Sequence, residues 1–302
     1  MKLTFGEHTV EVGNEDKAFF PGDGITKGAF VDYYAKVGER MLPYVEGRPV
    51  SMKRFPDGID GKSFFQKETP DHFPDWIERL SVKKEGGAVE HAVIRRVADL
   101  VYLADQACIE PHVWLATADH LERPDRMIFD LDPSDGNLGM IRDAARALRD
   151  VLEEVQLVPF LMTSGSRGYH VWVPLVADAG FDDVRDFART VAEVIVGRDP
   201  DSFTIEQRKE KRGHRVLIDY LRNGYAQTSV PPYSVRARPG APVATPLDWD
   251  ELGRAEPRSY TIGNLLKRLG QKDDPWEGLQ RDARSLDGPR KRLDVLGKDD
   301  RG

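Results

Sequence analysis

Cysteine is almost missing from this sequence, because Cys108 is the only one among 302 residues. A single thiol excludes a disulfide framework and a zinc site made of cysteines. Long apolar runs are also missing, since none approaches the roughly 20 residues that a transmembrane helix needs. The first residues, MKLTFGEHTVEVGNED, lack the basic and then apolar layout of a signal peptide. These absences predict a cytoplasmic protein with no membrane partner.

Excess positive charge is the third absence. The net charge is −7 and the pI is near 5.6, whereas nucleic-acid-binding domains usually carry a basic surface. The overall charge therefore argues against a nucleic-acid partner, although residues 208–215, RKEKRGHR, form a local basic cluster. The hydrophobic content of 40% suffices for one large domain or two modest ones.

Hydrophobic periodicity predicts strands interleaved with helices, which favours a mixed sheet flanked by helices. Helices are predicted from Thr26 onward and over 140–157, 182–200 and 258–270. Between the first two of these helices, a strand followed by a helix that ends at Pro111 is predicted, and YSVRARP, residues 233–239, is predicted as a late strand. After about Gln280 the chain is highly charged, which predicts a flexible tail or linker over 281–302.

Two carboxylates follow a short apolar run in MIFDLDPSDG, residues 127–136. Residues i and i+2 of a strand point to the same face, so Asp130 and Asp132 would lie side by side. Like charges so close repel unless a cation lies between them, and Mg²⁺ or Mn²⁺ prefers carboxylate oxygens. The alternative is that Asp132 caps a turn and Asp130 pairs with an arginine.

A third carboxylate, Asp219, ends the apolar strand of HRVLIDYLRN. If its strand lies beside that of Asp130 and Asp132, the three acids could hold two divalent cations. Two such ions can stabilise the attacking and leaving oxygens of an in-line phosphoryl transfer. The alternative for Asp219 alone is an exposed strand end.

TSGSRGYHVWV, residues 163–173, predicts two strands around a tight turn that could bind an anion. Backbone N–H groups of such a turn can form a nest for phosphate, with Arg167 as a fork-shaped donor and His170 as a second donor. Arg236 and Arg238 of YSVRARP would share one strand face and suit outer phosphates. An ordinary glycine-rich hairpin and solvated arginines are the alternatives. Phe64 and Phe65 are typical of a platform on which a base stacks.

These motifs, in this order, resemble the archaeo-eukaryotic primase superfamily, and most closely the polymerase domain of bacterial ligase D and its stand-alone relatives. The resemblance covers nearly the whole chain. It rests on eight segments: NEDKAFFPGDGITKGAFVDYY, KRFPDG, SFFQK, IEPHVW, DLDP, SGSRGYHV, LIDYLRN and PPYSVRARP. It implies an α+β fold with a mixed, largely antiparallel catalytic sheet flanked by helices, a primase-like core and an N-terminal α/β subdomain. Residues 1–280 would be one catalytic domain of two interleaved subdomains.

The resemblance also implies roles for residues at matching motif positions. Asp130, Asp132 and Asp219 would be the catalytic residues and would hold two Mn²⁺ or Mg²⁺ ions. The implied nucleotide contacts are Lys53, Phe64, Phe65, His112, Ser164, Arg167, His170 and Arg236. Lys17 and Lys27 would bind the 5′-phosphate of the downstream DNA strand, and Arg212 would contact the template or the sugar.

Two residues depart from the family pattern. Arg167 stands where relatives commonly have lysine, which keeps the charge but changes its shape and hydration. Arg222 stands where relatives often have a neutral amide.

The function that the resemblance implies is template-dependent gap filling or end extension at DNA double-strand breaks in non-homologous end joining, with a ribonucleotide preference. Its partners would be DNA ends or gapped duplex DNA, nucleoside triphosphates, Ku and a DNA ligase, in the bacterial nucleoid. The alternatives are a stand-alone primase-polymerase that initiates chains de novo, a non-catalytic module that binds DNA ends, and a more distant metal-dependent phosphohydrolase.

Overall fold

A computed structural model describes residues 1–84 and 86–299 of the chain. In residues 1–119 the elements are β1 (Lys2–Phe5), β2 (His8–Glu11), β3 (Ala18–Phe20), β4 (Ile25–Thr26), α1 (Lys27–Val45), β5 (Arg48–Arg54), β6 (Phe64–Gln66), β7 (Glu78–Lys84), β8 (Gly87–Ile94), α2 (Val97–Asp105) and β9 (Cys108–Trp114). In residues 120–227 they are β10 (Arg126–Asp132), α3 (Leu138–Glu154), β11 (Phe160–Thr163), β12 (Tyr169–Pro174), α4 (Phe181–Arg198), β13 (Phe203–Thr204) and β14 (Val216–Asp219). The later elements are β15 (Thr228–Ser229), β16 (Pro246–Leu247), α5 (Ile262–Leu269) and α6 (Asp287–Asp299).

The chain divides into two compact units, each made of several segments. Unit 1 contains residues 1–119, 228–245 and 259–274. Unit 2 contains residues 120–227, 246–258 and the chain from Pro275 onward. In the described part of the chain, no helix has the length and apolar character that crossing a membrane requires.

Unit 1 is built on an antiparallel sheet with the strand order β15-β9-β5-β8-β7, and β6 also pairs with β5. Helix α1 begins where the sequence predicts, because the Thr26 hydroxyl accepts a hydrogen bond from the Ala29 N–H at 3.2 Å. Its apolar positions, among them Phe30, Val37 and Met41, are fully buried. Helix α2 can lie against α1 because Gly38 has no side chain, and a Cβ there would overlap the Val97 side chain.

Unit 2 is built on a second sheet with the strand order β13-β14-β10-β12-β11-β16. All its strand pairs are antiparallel except β13 with β14. Helices α3 and α4 contact β10 and each other, and they bury apolar residues at helical spacing such as Ile141, Leu148 and Val191. The predicted α+β fold with a mixed, largely antiparallel sheet flanked by helices is therefore confirmed.

Three local predictions differ from the structure. Helix α2 ends at Asp105, because Ala107 has a φ of +60° and breaks the helix, and Pro111 lies inside strand β9 opposite Met52. Residues 233–239 are not a strand in the described structure. The chain turns at Tyr233, where φ is +67°, and pairs only at the Val235–Val243 bridge.

The segment predicted as a flexible tail or linker also differs, because described residues within 281–302 form helix α6. Leu286 and Leu293 are buried there, at 3% and 2% exposure. The charged composition concealed these apolar contacts: Leu293 lies within α6, and Leu286 directly precedes its first residue. The domain boundary at residue 280 remains a prediction.

Candidate active site

Three carboxylates share one face of the unit 2 sheet. Asp130 and Asp132 lie two positions apart in β10 and so point to the same side. Asp219 ends β14 directly opposite Asp130 in the antiparallel register, and direct cross-strand partners project to the same face. The sequence predicted the two strands and the acids they carry, whereas the pairing of β10 with β14 was only a condition of that prediction.

The protein environment opposes the negative charge of two of these acids. Burial raises the pKa of Asp132, and the charge of Asp130 adds to this rise, while Arg167 and Arg212 counteract it. Burial likewise raises the pKa of Asp219, and the charge of Asp130 raises it further. The hydrogen bond that the Leu221 N–H donates to this carboxylate lowers the pKa and so opposes the rise. A cation among these carboxylates would relieve both effects.

Basic side chains already contact two of the aspartates. An Arg167 nitrogen lies 2.9 Å from an Asp132 oxygen, and an Arg212 nitrogen lies 3.6 Å from the other oxygen. His170 Nε2 lies 3.5 Å from Asp130. Asp219 carries no ion pair of this kind among the described residues, and its oxygen accepts the Leu221 N–H at 2.9 Å.

The donor set fits divalent cations that prefer oxygen ligands, because three carboxylates share a face and two have a raised pKa. Their oxygens are not all within 4.8 Å of one another; among the described residues, the acidic cluster that meets this distance is Asp248, Asp250 and Glu251. That second cluster has a structural explanation. Asp248 and Glu251 form a capping box around a single helical turn.

The turn between β11 and β12 is stabilised by hydrogen bonds among its own residues. The Ser164 hydroxyl oxygen accepts hydrogen bonds from the Ser166 and Gly168 N–H groups, both at 3.1 Å. These two N–H groups therefore point to Ser164, whereas the sequence predicted that the turn would direct them to an anion. Gly168 is required by packing, because a Cβ there would overlap the Leu131 carbonyl oxygen of β10. The turn is thus fixed directly against the strand that carries Asp130 and Asp132.

In unit 1, a buried glutamate collects three of the predicted nucleotide contacts. Glu110 of β9 lies 3.0 Å from Lys53 Nζ, 3.2 Å from Arg236 Nε and 3.7 Å from His112 Nε2. Sequence reasoning selected the three basic residues and missed Glu110. The signal was available, since a carboxylate inside the apolar strand CIEPHVW needs a buried cationic partner.

The charges in this cluster are strongly coupled. Burial alone would raise the pKa of Glu110, but the contact with His112 and the charges of Arg236 and Lys53 outweigh it and hold the pKa well below its ordinary value. Burial lowers the pKa of His112, although Glu110 opposes this shift. The cluster is therefore a carboxylate between two cations and a neutral imidazole at neutral pH.

Phe64 and Phe65 of β6 are exposed, at 47% and 58%. Lys53 pairs with Phe65 in the strand register, and the Phe65 ring lies 5.3 Å from the His112 ring in an edge-on arrangement. An exposed ring of this kind can stack on a nucleic-acid base.

Comparison with known proteins identifies the family. The family model described as "LigD, primase-polymerase domain" matches residues 26–276. The chain belongs to this family. The multifunctional non-homologous end joining DNA repair protein LigD of Mycobacterium tuberculosis (strain H37Rv) is 34% identical over 92% of this chain. The bifunctional non-homologous end joining protein LigD of Bacillus subtilis is 31% identical over 86% of it.

The chain spans 38% of the length of the Mycobacterium tuberculosis protein and 42% of the Bacillus subtilis protein. A solved structure, the polymerase domain from Mycobacterium tuberculosis ligase D in complex with DNA, matches with a TM-score of 0.85 and 33% identity. This match covers 91% of the present chain and 99% of the solved one. The predicted family is thereby confirmed.

The family resemblance assigns two lysines, Lys17 and Lys27, to a DNA 5′-phosphate. Their backbones are hydrogen-bonded to each other. The Lys27 N–H donates to the Lys17 carbonyl at 2.7 Å, directly beyond the Ala18–Thr26 pair that ends the β3–β4 hairpin. Their ammonium groups bind different carboxylates, Lys17 at 2.8 Å from Asp57 and Lys27 at 2.7 Å from Asp105. The structure thus brings the residues together, with Lys27 and Asp105 in a buried ion pair.

Arg212, assigned by the resemblance to the template or sugar, is buried at 7% exposure. Its guanidinium donates to the Glu206 and Gln207 carbonyls at 2.8 and 2.7 Å, which shapes its own loop. Arg222 is exposed, and its charge acts on Asp219. Arg236 does not share a strand face with Arg238, because this segment is not a strand; its position is fixed by Glu110.

Proposed function

We propose that this chain is a template-dependent nucleotidyltransferase that fills gaps or extends ends at DNA double-strand breaks in non-homologous end joining. The proposal includes a two-metal mechanism and a preference for ribonucleotides. The observation that carries it is the placement of Asp130, Asp132 and Asp219 on one sheet face, with Asp219 directly opposite Asp130. Membership of the LigD primase-polymerase family supports it.

Asp130, Asp132 and Asp219 would hold two divalent ions, with Mn²⁺ and Mg²⁺ as the candidates. Such ions, when bound, would neutralise charge on the triphosphate and favour ionisation of the primer 3′-hydroxyl. Because the carboxylates hold the cations, no separate general base is needed, and positioning and electrostatics supply most of the rate.

Arg167 has two roles in this proposal. Its side chain is 52% exposed and contacts Asp132, where its positive charge partly balances the acidic face. When cations and a triphosphate bind, the guanidinium would leave Asp132 and donate to phosphate oxygens, which accept a fork-shaped pair of N–H groups well. Ser164 and His170 of the same unit are the further proposed phosphate contacts.

The remaining roles come from the family resemblance and are part of the proposal. Lys53 and Arg236 would contact the nucleotide, His112 its sugar or the primer end, and Phe65 a base with Phe64 beside it. Lys17 and Lys27 would bind the 5′-phosphate, and Arg212 would contact the template or the sugar. Ku and a DNA ligase are the proposed protein partners, and the cytoplasm is the proposed location.

The test is primer extension on a duplex with a short gap whose downstream strand carries a 5′-phosphate. Ribo- and deoxyribonucleotides are compared under Mn²⁺ and under Mg²⁺, with an unphosphorylated gap and a primer-free template as controls. We expect templated addition, faster with ribonucleotides and with the 5′-phosphate. Products on the primer-free template would instead identify a de novo primase-polymerase, and DNA binding without any addition would identify a non-catalytic module.

A further inference from the structure

Glu110 is a buried charge whose presence stability alone does not explain. Its side chain is 3% exposed, and taking a carboxylate out of water costs several kcal/mol unless its partners are well placed. Buried ion clusters are often no more stable than apolar side chains of similar volume. A role in arranging the groups around Glu110 is therefore the more economical explanation.

Both oxygens of Glu110 are used. Oε1 accepts the Arg236 Nε–H at 3.2 Å and the Ala237 N–H at 2.9 Å. Oε2 accepts a hydrogen bond from Lys53 Nζ at 3.0 Å and lies 3.7 Å from His112 Nε2. The carboxylate thus binds the tips of two side chains and the backbone of the irregular segment that carries Arg236.

The side chains of the partners are more exposed than that of Glu110 itself. The Lys53 side chain is 28% exposed, whereas the Glu110 side chain is 3% exposed. Phe65, which lies against both Lys53 and His112, is largely exposed. A ligand can therefore reach Lys53 and Phe65 while Glu110 stays covered.

Resting on the proposed function, we propose that Glu110 is a positioning residue that holds Lys53, Arg236 and His112 in the arrangement that binds the nucleotide. Lysine and arginine side chains lose much rotamer entropy when they are fixed in one arrangement. Ordering them before the nucleotide arrives removes that cost from binding. Loss of the carboxylate would have two opposite effects. It would strengthen the attraction of Lys53 and Arg236 for phosphate, but both side chains would then have to be ordered when the nucleotide binds. We expect the second effect to dominate and the nucleotide affinity to fall.

The test is a double-mutant cycle between Glu110→Gln and Lys53→Met, measured as kcat/KM for the nucleotide in gap filling. If Glu110 acts through Lys53 and its neighbours, the single losses are not multiplied in the double variant. We expect each single variant to lose about 30-fold and the double variant to lose little more, since residues that act as a unit are non-additive. Losses that multiply to about a thousandfold would overturn the proposal.

Glu78→Gln is the matched control, because it removes a charged partner of Arg95 at 2.7 Å within the same unit. Its kcat/KM should fall by no more than twofold. In the double variant with Lys53→Met, the two losses of kcat/KM should multiply. Thermal melting of every variant identifies a temperature at which all of them are folded. At that temperature Glu110→Gln should raise the nucleotide KM about tenfold and leave DNA affinity unchanged; an unchanged KM would contradict the positioning role.

Equilibrium binding of ATP to the chain without DNA separates this proposal from the proposed function. If the parent chain binds ATP and Glu110→Gln does not change this affinity, the positioning role is refuted and the polymerase proposal stands. A parent chain that neither binds nucleotide nor extends a primer would refute both.

Discussion

Asp130 of β10 and Asp219 of β14 are direct cross-strand partners, so two carboxylates that are distant in sequence meet on one sheet face. Burial and the charge of Asp130 raise the pKa of Asp219. Placing like charges opposite each other on a sheet is unfavourable. The arrangement is readily understood if a cation is bound there in the working protein.

The first prediction concerns metal and pH. Because folding raises the pKa of Asp219, its carboxyl group stabilises the folded state fully at a pH below its unfolded pKa of about 3.9. This contribution is lost as the pH rises through the folded pKa, so at pH 7 the charged carboxylate no longer stabilises the fold. In chelator at pH 7, Asp219→Asn should therefore be more stable than the parent, by about 1 kcal/mol, as measured by urea unfolding. Asparagine retains an oxygen that can accept the Leu221 N–H.

Adding Mn²⁺ should reverse this order. A ligand at 100 times its Kd stabilises the folded state by about 2.7 kcal/mol, so the parent should gain stability while Asp219→Asn gains much less. Asp250→Asn, in the acidic cluster with Asp248 and Glu251, is the control and should respond like the parent. An equal gain in Asp219→Asn and the parent would exclude Asp219 as a metal ligand.

The second prediction concerns Gly168, where a Cβ would overlap the Leu131 carbonyl oxygen. Gly168→Ala must displace β10 or the turn, so we expect a loss of about 2–3 kcal/mol in unfolding free energy and a loss of extension of at least tenfold. Gly197→Ala in α4 is the control, because nothing lies within 4 Å of its added Cβ. It should be neutral or stabilising by up to about 1 kcal/mol. Unchanged stability and activity in Gly168→Ala would contradict the close packing of turn and strand.

The third prediction concerns the acid side of the stability profile. The pKa of Glu110 is held well below its ordinary value of 4.5, so its stabilising contribution is full above that value and lost as pH falls through the folded pKa. Glu110→Gln should cost about 3 kcal/mol at pH 7, and the difference from the parent should shrink progressively as the pH falls below 4.5. A difference that does not depend on pH would show that the charge of Glu110 is not what stabilises this cluster.

The fourth prediction separates the two lysines that flank the β3–β4 hairpin. Lys27→Met would leave Asp105 buried without its cation, because both side chains of this ion pair are only 10% exposed; we expect a loss of about 3–5 kcal/mol. The Lys17 side chain is 40% exposed, so Lys17→Met should cost no more than about 1 kcal/mol. Thermal melting compares them, and Lys17→Met is then the cleaner variant for testing 5′-phosphate preference. Equal stability losses would contradict the difference in burial.

The sequence predicted the elements whose pattern is local. The Thr26 cap, the strands that end in Asp132 and Asp219, and the turn around Gly168 all follow from apolar runs, spacing and turn residues. Their meeting on one face requires β14 to pair with β10, which the sequence suggested only through the family resemblance.

The failures come from contacts between residues distant in sequence. YSVRARP has the alternation of a strand, but its Ala237 N–H is bound by Glu110, so no strand partner is needed there. The apolar residues after Ala107 continue a helical pattern and yet belong to β9, since a short apolar run does not distinguish strand from helix. Glu110 itself was missed because its function depends on partners 57 and 126 positions away.

The most direct measurement is primer extension by Asp130→Asn, alongside its affinity for gapped duplex DNA. Asp130 is the aspartate whose charge acts on both of the others, and Asn keeps its shape. We predict that extension falls at least a thousandfold, within the range of catalytic losses seen when a charged active-site group is removed, while DNA affinity stays within twofold of the parent and of Asp250→Asn. Extension at the parental rate would contradict the account, because the shared acidic face would then take no part in catalysis.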